Sequence, residues 1–297
     1  MLLYENLRPV FADVDEFLCL DPRSVADRIT SRTRAVMFVG LGGNAGRLLD
    51  VAELCRIKKL DLILDAAHMA GSHVQGKHVG REAAVAVFSF QAVKNLPTAD
   101  AGMVCFREGT LDAAARKWSW LGINKDTYTR TVEAAKAYKW RYEVEHPGFK
   151  YHGNSVMAAL GLVALKYLDS DNVYRRQLAS LYDEALREVP GVRTVPVAPG
   201  CTSSRHLYQV LAERRDDLMV YLNKESIFPG VHYRDNTDYA MYADASGTCP
   251  RAAEASGRIV SLPLHLRLTP SDVARVAKRL RAYYAGSAHA KEALRTP

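Results

Sequence analysis

Two residues of this 297-residue chain are set where a protein can do chemistry, each just beyond a short apolar run: Lys94 after the run that starts at Val85, and Asp65 after Leu62–Leu64. Apolar runs of this length rich in Val, Ile and Leu read as buried strands, and open α/β sheets place ligands at the carboxyl ends of their strands. An amine held there against a ligand loses solvation, and the lowered pKa makes it a nucleophile toward carbonyls. An ionised aspartate at a neighbouring strand end can hold a proton on a pyridine-type nitrogen, which keeps such a ring electron-withdrawing. His68, three residues after Asp65, is placed to hydrogen-bond a ring hydroxyl. Taken alone, Lys94 also reads as a solvated surface charge, and Asp65 as a cap or turn residue.

The elements that would position these groups follow from the hydrophobic pattern. From Arg8 to Phe106 short β-rich runs alternate with longer amphipathic ones, as in a parallel sheet covered by helices. Strands are expected at Pro9–Ala12, Ala35–Val39, Leu62–Leu64, Ala84–Phe88 and Gly102–Phe106. Pro22 opens a helix after Asp21, and Leu48 to Lys58 forms another with Leu48, Val51, Ala52, Leu54 and Cys55 on one face. Beyond Phe106 come two polar helical stretches, a break at His146, Pro147 and Gly148, and a helical run from about Asn154 to Leu186. Asp169, Ser170 and Asp171 are expected to interrupt that run and mark the passage to a second lobe. The rest offers a strand at His206–Leu211, a helix after Asp216, a turn at Pro229 and Gly230, an extended segment at Val260–Leu262 and a terminal helix from Thr269 and Pro270.

Several of these segments together resemble the DegT/DnrJ/StrS sugar-aminotransferase family of pyridoxal-phosphate (PLP) enzymes. Ser89, Phe90, Lys94, Asn95 and Leu96, followed by Ala101, Gly102 and Met103, are similar to its Ser-Phe-x-x-x-Lys-Asn-Leu and Gly-Gly-Met pattern. Asp65, Ala66, Ala67 and His68, with Gly71 beyond, match its Asp-Ala-Ala-His stretch, and Phe149, Tyr151 and the helix through Ala158–Leu162 match its Gly-Tyr-Asn-Tyr-Arg loop and following helix. The segments at His206–Tyr208, Gly230–Tyr233 and Ser261–His265 complete a likeness that spans essentially the whole chain. The resemblance implies a fold-type-I α/β large domain with a mainly parallel sheet (residues 1–169) and a smaller C-terminal α+β domain (170–297).

It also implies roles. Lys94 would be the aldimine-forming, proton-moving lysine, Asp65 the pyridinium partner and His68 a contact of the ring hydroxyl, with Ser89 and Gln91 on the phosphate. Gln91 and Lys150 depart from the commoner histidine and asparagine. The Lys150 loop would reach the phosphate of the neighbouring subunit in a homodimer, while His232 and Tyr233 would border the sugar; His206 and His265 are assigned to structure. The reaction implied moves an amino group from an amino acid, with glutamate the expected donor, to a nucleotide-linked keto-deoxysugar or a cyclitol precursor. Related dehydratases carry histidine at the lysine position, so Lys94 favours transamination.

Two other readings stand beside this one. Gly40, Gly42 and Ala45 fall in a G-x-G-x-x-A register after a strand, with an acid about 20 residues on, as in an NAD-binding Rossmann oxidoreductase; the same glycines also suit a tight turn. The chain also begins at a point inside the family's large domain. On the resemblance, the expectation is a missing phosphate-cradling helix N-terminus and two missing strands, one of them between the Pro9 and Ala35 strands, hence weak PLP retention or a non-catalytic interaction subunit.

Composition narrows the field without choosing within it. With 48% hydrophobic and 25% charged residues and mean hydropathy −0.16, the chain reads as globular. A net charge of +7 suits an anionic ligand, but the basic residues are scattered and form no nucleic-acid motif. No apolar run approaches a membrane span and no leader pattern appears, so the expectation is a cytoplasmic protein. Cys19, Cys55, Cys105, Cys201 and Cys249 are odd in number and form no CxxC, which points to structural thiols. His68, His73 and His78, five residues apart, share neither a helix face nor a strand face, so no metal site is expected, and His73 and His78 are placed on a surface loop.

Overall fold

The computed structural model describes residues 2–124 and 142–293. In the first lobe, α1 (Pro22–Arg28) starts where Asp21 accepts a hydrogen bond from the amide of Arg23 and Pro22 fills the first turn. Next come β1 (Ala35–Val39), α2 (Leu48–Lys58), β2 (Asp61–Asp65), the two-residue strands β3 (His73–Val74) and β4 (Lys77–His78), β5 (Val85–Ser89) and β6 (Gly102–Phe106). The main sheet has the order β1-β2-β5-β6; the first three strands are parallel and β6 is antiparallel to β5. Leu48, Val51 and Cys55 of α2 are buried against Phe38, Leu62 and Leu64, with Ala52 and Leu54 half-buried beside them. That is the expected face.

Pro9–Ala12 forms no strand. The chain there runs into a tight loop in which Val14 bridges Leu20 and the buried Asp15 accepts the amides of Phe17 and Cys19, so β1 is an edge of the sheet. His73 and His78 face each other across the β3–β4 hairpin, rather than lying on a loop, and β3 also pairs with β8 (Cys201–Thr202) of the second lobe.

After β6 comes α3 (Gly109–Ser119); the second expected polar helix falls mainly on 125–141, outside the described residues. The run predicted from Asn154 to Leu186 is two helices, α4 (Ser155–Leu165) and α5 (Leu168–Leu186), and the break lies at Lys166 and Tyr167. Asp169 and Asp171 do not interrupt it. They occupy the first turn of α5, where the helix dipole favours acids.

The second lobe adds β7 (Val192–Thr194), β8, β9 (Tyr208–Ala212), α6 (Arg215–Lys224), α7 (Pro250–Arg258), β10 (Ile259–Leu262) and α8 (Pro270–Ala293). Its antiparallel sheet β10-β9-β7 lies on a core of Leu178, Tyr182, Leu218, Leu222, Val260 and Leu280. Every residue of β9 and β10 is buried, as expected for strands covered on both faces. The lobes meet at the carboxyl ends of β1, β2 and β5.

Candidate active site

The three parallel strands end side by side: Val39 is in register with Asp65, and Asp65 with Val87, two residues before Ser89. Beyond β5 the chain folds back tightly. Phe90 and Ala92 donate to the carbonyls of Ala101 and Ala99, and Lys94 donates its amide to Gln91 O at 2.8 Å. Gly102 lets this return strand close in, because a Cβ there would lie 2.7 Å from the Phe88 carbonyl oxygen. Lys94 is thereby held half-buried. Desolvation pulls its amine below the ordinary lysine range, and the Asp65 carboxylate partly opposes the shift.

Asp65 is half-buried, and its Oδ1 accepts the amide of Ala67 at 3.0 Å, which turns the chain toward His68. His68 is buried. Its Nδ1 accepts the amide of Gly42 at 3.2 Å, so the neutral ring carries its proton on Nε2, 3.5 Å from the Tyr233 hydroxyl. Burial first, then the charge of Lys94 and the presence of His232, push the His68 pKa down to about 3. His206 stacks on His68 with ring centroids 4.3 Å apart, and burial together with His68 and Lys94 pushes it to about 2. His232 Nδ1 lies 2.8 Å from Ser261 Oγ, while Gln209 donates to the His232 carbonyl at 2.7 Å. Burial and Lys94 lower the His232 pKa as well.

The structure therefore brings Lys94, Asp65, His68, His232 and Tyr233 to one place. Ser89, the last residue of β5, and Gln91 precede Lys94 on the turn that leads to it: Ser89 Oγ receives the Gln91 amide at 3.4 Å, and the exposed Gln91 side chain accepts the Val93 amide. Lys150 is engaged elsewhere in the chain. Its backbone bridges Trp120 and its ammonium sits 4.4 Å over the Trp120 ring.

The glycine loop after β1 is a single 3-10 turn, Leu41–Gly43, and it is closed by protein rather than open to a dinucleotide. Gly42 donates to His68, and its carbonyl accepts the amide of His206. Gly43, at φ +91°, has Ser204 Oγ 2.1 Å from where a Cβ would sit. With its donor used and its faces packed, the loop has no room for a pyrophosphate, and the tight-turn reading is the one that holds.

Sequence reasoning placed Asn95 in the family pattern without a role, passed over Asn172 and Ser204, and assigned His206 to structure. All four are buried where the lobes join. The available signal was that Asn95 follows Lys94 and is too polar to be buried without partners.

The family model described as the DegT/DnrJ/EryC1/StrS aminotransferase family matches residues 1–281. A dTDP-4-dehydro-2,3,6-trideoxy-D-glucose 4-aminotransferase of Saccharopolyspora spinosa is 34% identical over 275 residues, which cover 91% of this chain and 71% of that protein. Among solved structures, the aminotransferase TlmJ from Streptoalloteichus hindustanus superposes with a TM-score of 0.88 at 34% identity, covering 97% of this chain and 76% of TlmJ. Helicobacter pylori PseC, an aminotransferase involved in the biosynthesis of pseudoaminic acid, gives 0.87 at 27% identity, covering 96% of this chain and 76% of PseC. Among the described residues, no helix is long and apolar enough to cross a membrane. With its fold, its lysine and aspartate strand ends and a family match over nearly all its length, the chain belongs to the DegT/DnrJ/EryC1/StrS aminotransferase family, and the relatives it matches are aminotransferases.

Proposed function

We propose that this chain transfers an amino group from an amino acid, glutamate being the expected donor, to the keto group of a nucleotide-linked deoxysugar or related cyclitol, with PLP as cofactor. The observation that carries the reading is the pairing of a desolvated amine, Lys94, with the carboxylate of Asp65 at neighbouring strand ends. The donor set fits the cofactor: an amine shifted toward its free-base form, a carboxylate, and an imidazole whose proton is fixed on Nε2 by the Gly42 amide. When bound, PLP supplies a carbonyl for amines to attack and an electron-withdrawing ring.

The chain supplies the rest. Lys94 Nζ would hold the cofactor through its carbonyl and, once freed, would accept and return the proton at the reacting carbon. Asp65 would stabilise the proton on the ring nitrogen. His68, neutral and a donor at Nε2, would hold the ring hydroxyl oxygen. Ser89 and Gln91 are assigned to the phosphate, and His232 and Tyr233 to the sugar side. Balance is kept over two half-reactions: amino acid becomes keto acid, and keto sugar becomes amino sugar.

A homodimer is part of this proposal. Lys150 lies on an exposed loop away from Lys94, as expected of a residue that serves a second subunit's phosphate. The adjacent helix α4 carries Val156, Leu160, Leu162, Val163 and Leu165 on its surface and buries none of them, which is unusual for a helix with no partner. The division into domains at residues 169 and 170 is retained as a functional one, although α5 runs through it.

The test is a single-turnover half-reaction. PLP-loaded protein mixed with glutamate should release 2-oxoglutarate stoichiometrically with bound cofactor, and Lys94→Ala should abolish the release. Equal release by that variant would refute the mechanism.

A further inference from the structure

The residue after the reactive lysine is buried more deeply than the lysine and makes contacts on both sides of the junction. Asn95 Nδ2 donates to Asn172 Oδ1 at 2.7 Å and to the Ser204 carbonyl at 2.8 Å. Both N–H groups are used, so the amide orientation is fixed and Oδ1 faces His206 Nδ1 at 2.8 Å. Asn172 extends the chain by donating to the Ala70 carbonyl at 2.9 Å. Gly71 leaves room for it, since a Cβ there would lie 2.3 Å from Asn172 Nδ2. Ser204 in turn donates Oγ to the His68 carbonyl at 2.7 Å, and its amide donates to Ser72 Oγ at 2.9 Å. Asn95, His68, Ala70 and Ser72 belong to the first lobe, while Asn172, Ser204 and His206 come from α5 and the loop before β9.

We infer that Asn95 is a positioning residue: through His206, Asn172 and Ser204 it clamps the lysine loop to the second lobe, and so fixes where the Lys94 amine stands relative to Asp65 and His68. Lys94 sits on a turn whose other side chains, Gln91, Ala92 and Val93, are exposed and hold nothing on the second lobe. Leu96 packs against Ala70 and Leu168, but an apolar contact has no directional preference and does not fix rotation of the turn. The three hydrogen bonds at Asn95 are directional and shielded from water, and releasing them would leave buried donors and acceptors without partners. Rigid support of a reactive group by locked neighbours is what keeps it in productive geometry. His206 thereby has two contacts, one edge on Asn95 and one face on His68, and couples the lysine loop to the imidazole that faces the ring.

The inference rests on Lys94 being the reactive amine, and its test is chosen to need no cofactor. In the cofactor-free protein, pH-dependent acetylation of Lys94 by acetic anhydride, followed by peptide mass spectrometry, reads the environment of the amine directly. The charged or titratable groups that meet it are Asp65 at the end of β2, His68 on the loop beyond, and His206 and His232 from the second lobe. Asn95→Ala and His206→Phe should let the amine swing toward water. The acetylation midpoint would rise by about one pH unit, and the rate below the midpoint would fall roughly tenfold. His206→Gln, which can still offer an N–H to Asn95 Oδ1, should stay near the parent value. A midpoint that does not move in Asn95→Ala and His206→Phe, with only the melting temperature lowered, would show a merely structural role. Should those variants fail to fold, hydrogen exchange of the unaltered protein decides: the Lys94 amide should be protected to the same order as those of α5, and exchange at the rate of an exposed turn would overturn the clamp. Loss of the PLP adduct on Lys94 would count against the proposed function and leave this result untouched.

Discussion

The junction around Lys94 and the exposed surface of α4 are built on opposite principles. At the junction nearly every polar group is buried and spoken for: Asn95, Asn172, Ser204 and His206 form one hydrogen-bonded chain, and His68 is tied at Nδ1. On α4, Leu162 is 66% exposed and Val156 72%, with no described segment over them. A satisfied polar junction specifies geometry and is what a reactive amine needs; an open apolar face specifies association. The Lys94 junction is thus held by contacts within the chain, whereas α4 and the Lys150 loop are the parts that the proposed homodimer would cover.

The largest effect that would break this contrast is chemical. Asp65→Asn should leave the fold intact, because Oδ1 can still accept the Ala67 amide, yet slow the amino-donor half-reaction by orders of magnitude. Stopped-flow measurement of that half-reaction checks it, and a normal rate would demote Asp65 to a turn residue.

Acid should loosen the junction next. His68 and His206 are neutral in the fold, with pKa values pushed to about 3 and about 2, but protonate near pH 6.5 when unfolded. Below pH 6.5 the unfolded chain binds more protons, so their stabilisation is complete above that pH and is lost as pH falls, at about 1.4 kcal/mol per pH unit for each histidine. Asp15 acts in the opposite sense. Burial raises its carboxyl from 3.8 to about 6, so the fold gains from its protonation as pH falls through that window. Asp15→Asn should therefore steepen the acid loss, read as urea midpoints between pH 6.5 and 4.

Smaller again is Gly71→Ala. Its φ of +79° is strained for any side chain, and the new Cβ would strike Asn172, so a loss of roughly 2 kcal/mol in chemical denaturation is expected. The smallest change in chain stability should come from Leu162→Asp on α4, within about 0.5 kcal/mol because the position is exposed. Its effect should appear instead as a shift toward monomer in sedimentation; an unchanged dimer would remove α4 from the interface.

How much of this was legible in the sequence depends on how local each signal is. The ends of β2 and β5 were readable because apolar runs and the residues beyond them are contiguous, which placed Asp65 at the end of β2 and His68 and Lys94 on the loops beyond the strands; the roles proposed for them come from the family pattern. Helix α2 was readable for the same reason. The Pro9–Ala12 strand was misread because a short apolar run there feeds a loop closed by Asp15, and periodicity does not distinguish the two. The break before α5 was misplaced because acids that disfavour a helix interior are welcome in its first turn. The clamp was invisible. Its members lie 77 to 111 residues apart, and nothing local to Asn172 or His206 says that they meet at Asn95.

Lys94 as the cofactor-bearing amine is tested most directly by reductive trapping. The protein is incubated with PLP, reduced with borohydride, digested and mapped. The account predicts a single pyridoxyl-modified peptide, with the modification on Lys94, and its absence in Lys94→Ala; a modification carried reproducibly by another lysine, or none at saturating PLP, would contradict it.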